Sequence, residues 1–207
     1  MAEVAVAGRE LATAPVAPSK LAHFVLRVND FEHAIDWFCR VLNAQVMFRN
    51  EMLCFMTYDE EHHRVALLNT PNLPTGDRST TGLEHVAFTY ASLGDLLSNY
   101  VRLKKEGIDP VWCINHGPTT SIYYAAPGGA QVELQIENFD TLDDLLNWFA
   151  QGTFKHEPEG EEFEASTFAK NPIGVEFDPD ELVRLYERGE PEADLKKQGA
   201  GASPKTA

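Results

Sequence analysis

Cysteine is scarce in this chain of 207 residues: Cys39, Cys54 and Cys113 are the only three. An odd number of widely spaced thiols, each inside a run that reads as helix or strand, excludes a disulfide framework and a cysteine-based zinc motif and suits a reducing compartment. No run approaches the roughly eighteen uninterrupted apolar residues of a membrane span. Residues 1–19, rich in Ala, Val and Pro, lack the basic start and apolar run of a secretory leader. Positive charge is also short, with 17 Lys and Arg against 32 Asp and Glu and a net charge of −15. Residues 140–207 alone carry sixteen acids against seven bases. Such a surface repels nucleic acid and anionic membrane, so neither is expected as a partner. The expectation is a soluble cytoplasmic protein whose hydrophobic content of 43% is enough to bury a substantial core.

The most informative stretch runs from His116 to Leu134. Ser121–Ala125 is rich in aromatic and branched residues and reads as a strand, Pro127-Gly-Gly is turn chemistry, and Gln131–Ile136 alternates with the period of a second strand. Glu133 then shares a face with Gln131 and Gln135, opposite Val132, Leu134 and Ile136. Taken alone, a carboxylate at such a position is commonly an outward, solvated residue.

Two upstream strands change its context, because they open with the same phrase: Leu21-Ala-His23 and Leu83-Glu-His85, each followed by branched and aromatic residues. This is an internal repeat. After the first comes a capped helix, Phe31–Leu42, with apolar positions at Phe31, Ile35, Phe38, Val41 and Leu42. After the second comes a helix from Ser92 to about Glu106, closed by Gly107. Each helix is followed by three strand-like runs: Gln45–Phe48, Met52–Tyr58 and His63–Leu68 in the first half, and Asp109–Ile114, Ser121–Ala125 and Gln131–Ile136 in the second. The fold class expected is α+β, built from two βαβββ modules.

The boundaries follow from composition: a flexible N-terminus at 1–19, a first module at 20–70, a turn-rich linker to Gly82, a second module at 83–138, a C-terminal extension at 139–191 and a disordered tail at 192–207. Within the extension, Leu142–Phe149 reads as an amphipathic helix, Lys155–Glu164 as an acidic loop and Pro179–Gly189 as a last helix. The extension either covers one mouth of the sheet assembly or wraps its surface.

Paired βαβββ modules with a His opening each one and a Glu on the last strand resemble the vicinal oxygen chelate superfamily, that of glyoxalases, bleomycin resistance proteins and dioxygenases. The stretch Ile114–Glu133 resembles the signature of its type I extradiol ring-cleaving dioxygenases, with Ile114, His116, Ile122, Tyr123, Ala126, Pro127, Gly129 and Glu133 in register. A weaker similarity to such enzymes runs from Asn171 to Pro179. The resemblance implies a half-barrel pair of modules with a C-terminal helical and loop extension. It further implies a non-haem Fe(II)-dependent dioxygenase of aromatic hydrocarbon catabolism that cleaves a catechol-type ring with O2.

On that resemblance His23, His85 and Glu133 are the metal ligands. Two neutral imidazoles and one carboxylate on one side of an iron leave the other side open for substrate and dioxygen; Mn(II) has similar ligand taste. Three further residues are expected at the site: His63 as the acid–base residue ahead of Val65-Ala66-Leu67, Tyr123 as a hydrogen-bond partner of the substrate hydroxyl, and His116 as pocket lining. His62, beside His63, is expected to point to the opposite face and be structural. Partners implied are a small aromatic diol, O2 and further copies of the chain in a homodimer or higher homo-oligomer.

Two other readings stay open. One is a metal-dependent isomerase, epimerase or thiol transferase of the same superfamily. Alignment of Val65-Ala66-Leu67 with Val132-Glu133-Leu134 speaks against it, because Ala66 then stands where such isomerases carry a fourth ligand. The other is a metal-free, drug-sequestering binding protein, which has no use for all three ligand types.

Overall fold

The computed structural model describes residues 14–76, 79, 81–150 and 174–190. The first βαβββ unit consists of β1 (Phe24–Val28), α1 (Phe31–Val41), β2 (Gln45–Arg49), β3 (Leu53–Thr57) and β4 (Val65–Asn69). The second consists of β5 (His85–Thr89), α2 (Leu93–Lys105), β6 (Trp112–Asn115), β7 (Thr119–Ala125) and β8 (Gln131–Glu137). Then follow α3 (Leu142–Ala150), β9 (Val175–Glu176) and α4 (Pro179–Glu187). The expected acidic loop, most of the N-terminal segment and the C-terminal tail lie outside the described residues.

Both module helices start where a short polar side chain caps the free backbone N–H groups. Asp30 accepts from the His33 amide at 3.3 Å, and Ser92 accepts from the Asp95 amide at 3.1 Å. Each helix lays an apolar stripe on its own sheet. Phe31, Ala34, Ile35, Phe38 and Val41 of α1 are buried, as are Leu96, Leu97, Tyr100 and Leu103 of α2. All of these but Leu97 meet the inward residues of the alternating strands, Val65 and Leu67 on β4 and Val132 and Leu134 on β8, in one continuous core.

The sheets are open, ordered β1-β4-β3-β2 and β5-β8-β7-β6-β9, with β1–β4 and β5–β8 parallel and the remaining pairs antiparallel. Their ladders repeat. Val25, two residues after His23, pairs with Ala66, and Ala66 pairs with Phe55. Ala87, two residues after His85, pairs with Glu133, and Glu133 pairs with Tyr123. The next rung is Phe55 with Phe48 in the first sheet and Tyr123 with Trp112 in the second. Residues side by side across a ladder share a face, as do residues two apart along a strand. One face of each sheet therefore carries an opening His, an aromatic pair and either Ala66 or Glu133.

The halves pack on each other through Phe24 against Phe88, ring centres 6.0 Å apart, and through the Pro127-Gly-Gly turn. Gly129 has φ +90°, and a Cβ there would lie 2.4 Å from the Gly76 carbonyl oxygen. Gly129→Ala is thus expected to cost about 2 kcal/mol through strain and backbone displacement, lowering Tm by roughly 4–8 °C. Gly82, with open space around its Cβ position, is the control, and thermal denaturation of Gly129→Ala and Gly82→Ala checks the difference.

Several strand edges differ from the sequence expectation. The strand expected from Asp109 begins at Trp112, beyond Pro110, which has no N–H for the ladder. The one expected from Ser121 begins at Thr119, because Thr119 and Thr120 find partners in Glu137 and Ile136. β4 begins at Val65, leaving His63 in the connection before it. The extension adds β9 to the outer edge of β6, with Ile114 opposite Glu176 and Asn115 opposite Val175. α4 then docks on α2, where the Tyr100 hydroxyl donates to Asp180 at 2.7 Å and Lys104 pairs with the same carboxylate. Among the described residues no helix is long and apolar enough to cross a membrane.

Candidate metal centre

Glu133 is the unusual residue of the second sheet. Its strand alternation puts it opposite Val132 and Leu134, on the face the sequence marks as outward, yet it is 4% exposed. His85 shares that face, and its Nε2 lies 3.0 Å from Glu133 Oε2. Burial pushes the Glu133 carboxyl up, but hydrogen bonds from His85 and Ser121 outweigh it and hold the group below the ordinary carboxylate range. The neighbour across the ladder, Tyr123, is 3% exposed, and burial followed by the Glu133 charge pushes its hydroxyl well above the usual phenol range. His116, in the turn after β6, places Nε2 3.0 Å from the Tyr123 hydroxyl. The Trp112 ring backs Tyr123 at 5.0 Å between centres. Four residues singled out in the sequence, His85, His116, Tyr123 and Glu133, therefore form one contiguous group.

The other two, His23 and His63, meet beside the first sheet, in the residues just ahead of β1 and β4, with ring centres 4.2 Å apart. His63 is buried and stacks on Phe55 at 4.3 Å with the ring planes 7° apart. Burial pushes its imidazole pKa down, and the neighbouring His23 and His62 add to this against the opposing Glu61. The neutral form of the ring is favoured as a result.

His62 does not turn away as expected. His62 and His63 lie in a loop rather than on a strand, so strand alternation does not apply, and their Nδ1 atoms are 2.6 Å apart. The loop is pinned by Arg64, which donates through Nε to Asp59 Oδ2 at 2.9 Å and through Nη1 to the carbonyls of Leu21 and Ala22 at 2.9 and 3.1 Å. That clamp fixes the two residues immediately before His23. Sequence reasoning missed Phe55, Trp112 and Arg64. Extending the repeat alignment by one strand would have marked the first two, since Phe55 is the ladder equivalent of Tyr123.

A divalent metal suits this donor set. Glu133 is a buried carboxylate, its ionised form favoured by its hydrogen bonds, whose ion-pair partner among the described residues is the His85 imidazole. Imidazole nitrogen and carboxylate oxygen are ligands for such an ion. Two of the three expected ligands, His85 and Glu133, are brought together, whereas His23 lies against His63. Among the described residues, no group of three or more His, Cys, Asp or Glu side chains is placed to hold a metal. Ala66, 3% exposed at the ladder position equivalent to Glu133, offers no fourth ligand.

Comparison with known proteins gives a consistent pattern. The model of the Glyoxalase/Bleomycin resistance protein/Dioxygenase superfamily matches residues 20–134. Biphenyl-2,3-diol 1,2-dioxygenase 2 of Rhodococcus globerulus is 43% identical over 176 residues, 84% of this chain and 85% of the relative. Biphenyl-2,3-diol 1,2-dioxygenase 3 of the same organism is 42% identical over 178 residues, 85% and 86% of the two chains. Among solved structures, a glyoxalase/bleomycin resistance protein/dioxygenase domain from Frankia sp. superposes with a TM-score of 0.52 at 17% identity, covering 60% of this chain and 96% of that one. A glyoxalase/dioxygenase from Nostoc punctiforme gives 0.51 at 15% identity over 62% and 100%. At these identities the two structures speak to the fold alone.

Proposed function

Because the chain belongs to the Glyoxalase/Bleomycin resistance protein/Dioxygenase superfamily, with curated relatives named as dioxygenases across most of its length, we propose that it is an extradiol dioxygenase that opens the ring of a catechol-type diol with O2. The observation that carries this reading is the buried Glu133 carboxylate 3.0 Å from His85, bordered by Tyr123 and His116. The relatives' names point to biphenyl-2,3-diol as the first compound to try.

In this reading His23, His85 and Glu133 hold the metal, taken as Fe(II), with Mn(II) the alternative. When bound, the ion supplies joint binding of diol and O2 and a path for electrons between them. The residues of the chain do the rest. Tyr123, its proton held by a raised pKa, donates a hydrogen bond to a substrate oxygen while His116 steadies its hydroxyl. His63, neutral and buried, takes a proton from a diol hydroxyl at a ring nitrogen and later returns it to the oxygen leaving the O–O bond. The apolar walls, Phe55 beside His63 and Trp112 beside Tyr123, keep water from the reacting ring. Ala66 favours an open metal face over the four-ligand site of an isomerase. We further propose a cytoplasmic setting, in line with the free thiols, and self-association as a homodimer or larger homo-oligomer.

The test is anaerobic loading with Fe(II), followed by biphenyl-2,3-diol, catechol and 3-methylcatechol with oxygen uptake and product absorbance recorded together. One O2 consumed per yellow ring-opened product is expected. Iron-loaded protein that takes up no oxygen with any diol, yet isomerises a thiol adduct, would move the chain to the isomerase branch.

A further inference from the structure

The C-terminal extension meets the second sheet at the residues that surround Tyr123. β9 lengthens that sheet beyond β6, and Phe177 just after it packs against the core. Alternation puts Glu176 on the opposite face, the one Trp112 and Tyr123 share. There Glu176 Oε1 accepts the Trp112 indole N–H at 2.8 Å. Indole has a single donor and nothing to accept with, so a carboxylate at that atom fixes which way the ring lies. Held so, the indole lies on Tyr123 at 5.0 Å with the planes 34° apart, and meets the His116 ring edge-on at 5.7 Å. Two more contacts of the extension bear on the turn that carries His116. A Cβ on Gly174 would lie 2.2 Å from the Asn115 carbonyl oxygen and 2.9 Å from His116 Cα, and one on Gly117 would lie 2.4 Å from the Trp148 ring. Among the described residues the first sheet has no such support. Phe48, at the rung equivalent to Trp112, carries no N–H on its ring and is 51% exposed on the strand at the sheet edge.

We propose that Glu176 is a positioning residue: through the Trp112 indole it holds the Tyr123 hydroxyl where a diol oxygen meets it, which gives the C-terminal extension a part in the reaction. The β7 ladder fixes the Tyr123 backbone, but the direction of its ring depends on what packs against it, and Trp112 supplies one of those walls. An indole free to turn away would open that side to water and let the hydroxyl drift. Misplacement on the order of 1 Å at a group that orients substrate can cost about 10²-fold in rate. In the proposed centre the diol oxygens are bound at the ligand set, so the loss falls on kcat rather than KM. This inference rests on the reading of Tyr123 as the donor to the diol, but its first test does not depend on turnover.

The experiment uses the full chain, metal-free and labelled with 15N at tryptophan. Its three tryptophans each give an indole N–H signal, and the one lost in Trp112→Phe belongs to Trp112. In the wild type that signal is expected downfield and slow to exchange with water. Glu176→Ala should move it upfield and speed its exchange, while Glu176→Gln, whose amide oxygen still accepts, should leave it near its wild-type place. With Fe(II) and biphenyl-2,3-diol, Glu176→Ala should lower kcat by roughly 10–100-fold with KM within about twofold of wild type, and Glu176→Gln should recover most of that loss. Glu176→Ala added to Trp112→Phe should cost nothing further, because both remove the same contact. Additive losses in that pair would overturn the proposal, since Glu176 would then act by another route. An indole signal unmoved in Glu176→Ala overturns it whatever the activity. A moved signal with lowered Tm and unchanged kcat makes the pair a structural clasp and overturns the catalytic half. If Tyr123→Phe also turned over at the wild-type rate, that failure would lie in the reading of Tyr123, whereas a slow Tyr123→Phe beside a normal Glu176→Ala would place it in Glu176.

Discussion

His85→Ala is expected to abolish stoichiometric iron binding while leaving the chain folded. In the proposed centre His85 is one of three ligands, and losing it should weaken iron affinity by more than the roughly 10–100-fold that removal of an outer hydrogen-bond partner costs. The structural cost is smaller. His85 is about one-third exposed at its side chain, and its removal takes one hydrogen bond from Glu133, which retains Ser121 and Tyr123 as partners. Loss of one partner of a buried polar group costs about 1–3 kcal/mol, against the 5–15 kcal/mol that holds a typical domain together. Glu133 also gains a diagnostic. In the metal-free wild type its carboxyl sits below the ordinary range, so its stabilising effect is present above the unfolded carboxyl pKa and is lost as pH falls through the lower folded value. Without His85, burial gains ground and this acid-side loss of stability should shrink. Metal analysis after anaerobic loading, with circular dichroism and a pH series of thermal melts, checks all three. A His85→Ala protein that carried normal iron would remove His85 from the ligand set.

Much of the fold is readable from residue order because it rests on periodic or local chemistry. The alternation at Gln131–Ile136, the helical stripes of α1 and α2, and the caps at Asp30 and Ser92 each leave a trace within a few residues. The repeat is readable too, and the ladders bear it out: the alignment of Ala66 with Glu133 reappears as equivalent pairings two residues after His23 and His85. What could not be read is convergence across long separations. β9 is two residues long, too short for any period to show. It owes its place to the open edge of β6, the Trp112 indole donating to Glu176 at 2.8 Å, and Gly174, which lies so close to the Asn115 carbonyl that no side chain fits. The Arg64 clamp joins residues more than forty positions apart and has no sequence signature. His62 was misjudged for a related reason: the rule that neighbours on a strand face opposite ways was applied to a pair that the chain places in a loop.

His63→Phe is expected to keep iron and diol binding and to lower ring opening by about 10²–10⁴-fold, the usual contribution of a general acid–base group, or roughly 2.7–5.5 kcal/mol in the barrier. The substitution suits the site, since Phe keeps a flat ring to stack on Phe55 where the imidazole now lies, 4.3 Å away and nearly parallel. Packing should therefore survive while both ring nitrogens disappear. Two losses then combine. The diol hydroxyl has no buried neutral base to take its proton, which slows productive binding, and the oxygen leaving the O–O bond has no acid beside it. The second loss has a chemical signature. A catechol that has reacted with O2 but is not carried on to ring opening can instead be released as the quinone, with two electrons and two protons passing to O2 to form hydrogen peroxide. Oxygen uptake in the His63→Phe enzyme should thus exceed ring-opened product, with peroxide making up the difference, whereas the wild type should match the two one to one. Tyr123→Phe is the informative companion, because it removes a substrate contact without touching His63 and should keep uptake and product coupled. Ring-opened product formed by His63→Phe at the wild-type rate, without peroxide, would transfer the proton step to His116 or Tyr123 and leave His63 as a wall of the pocket.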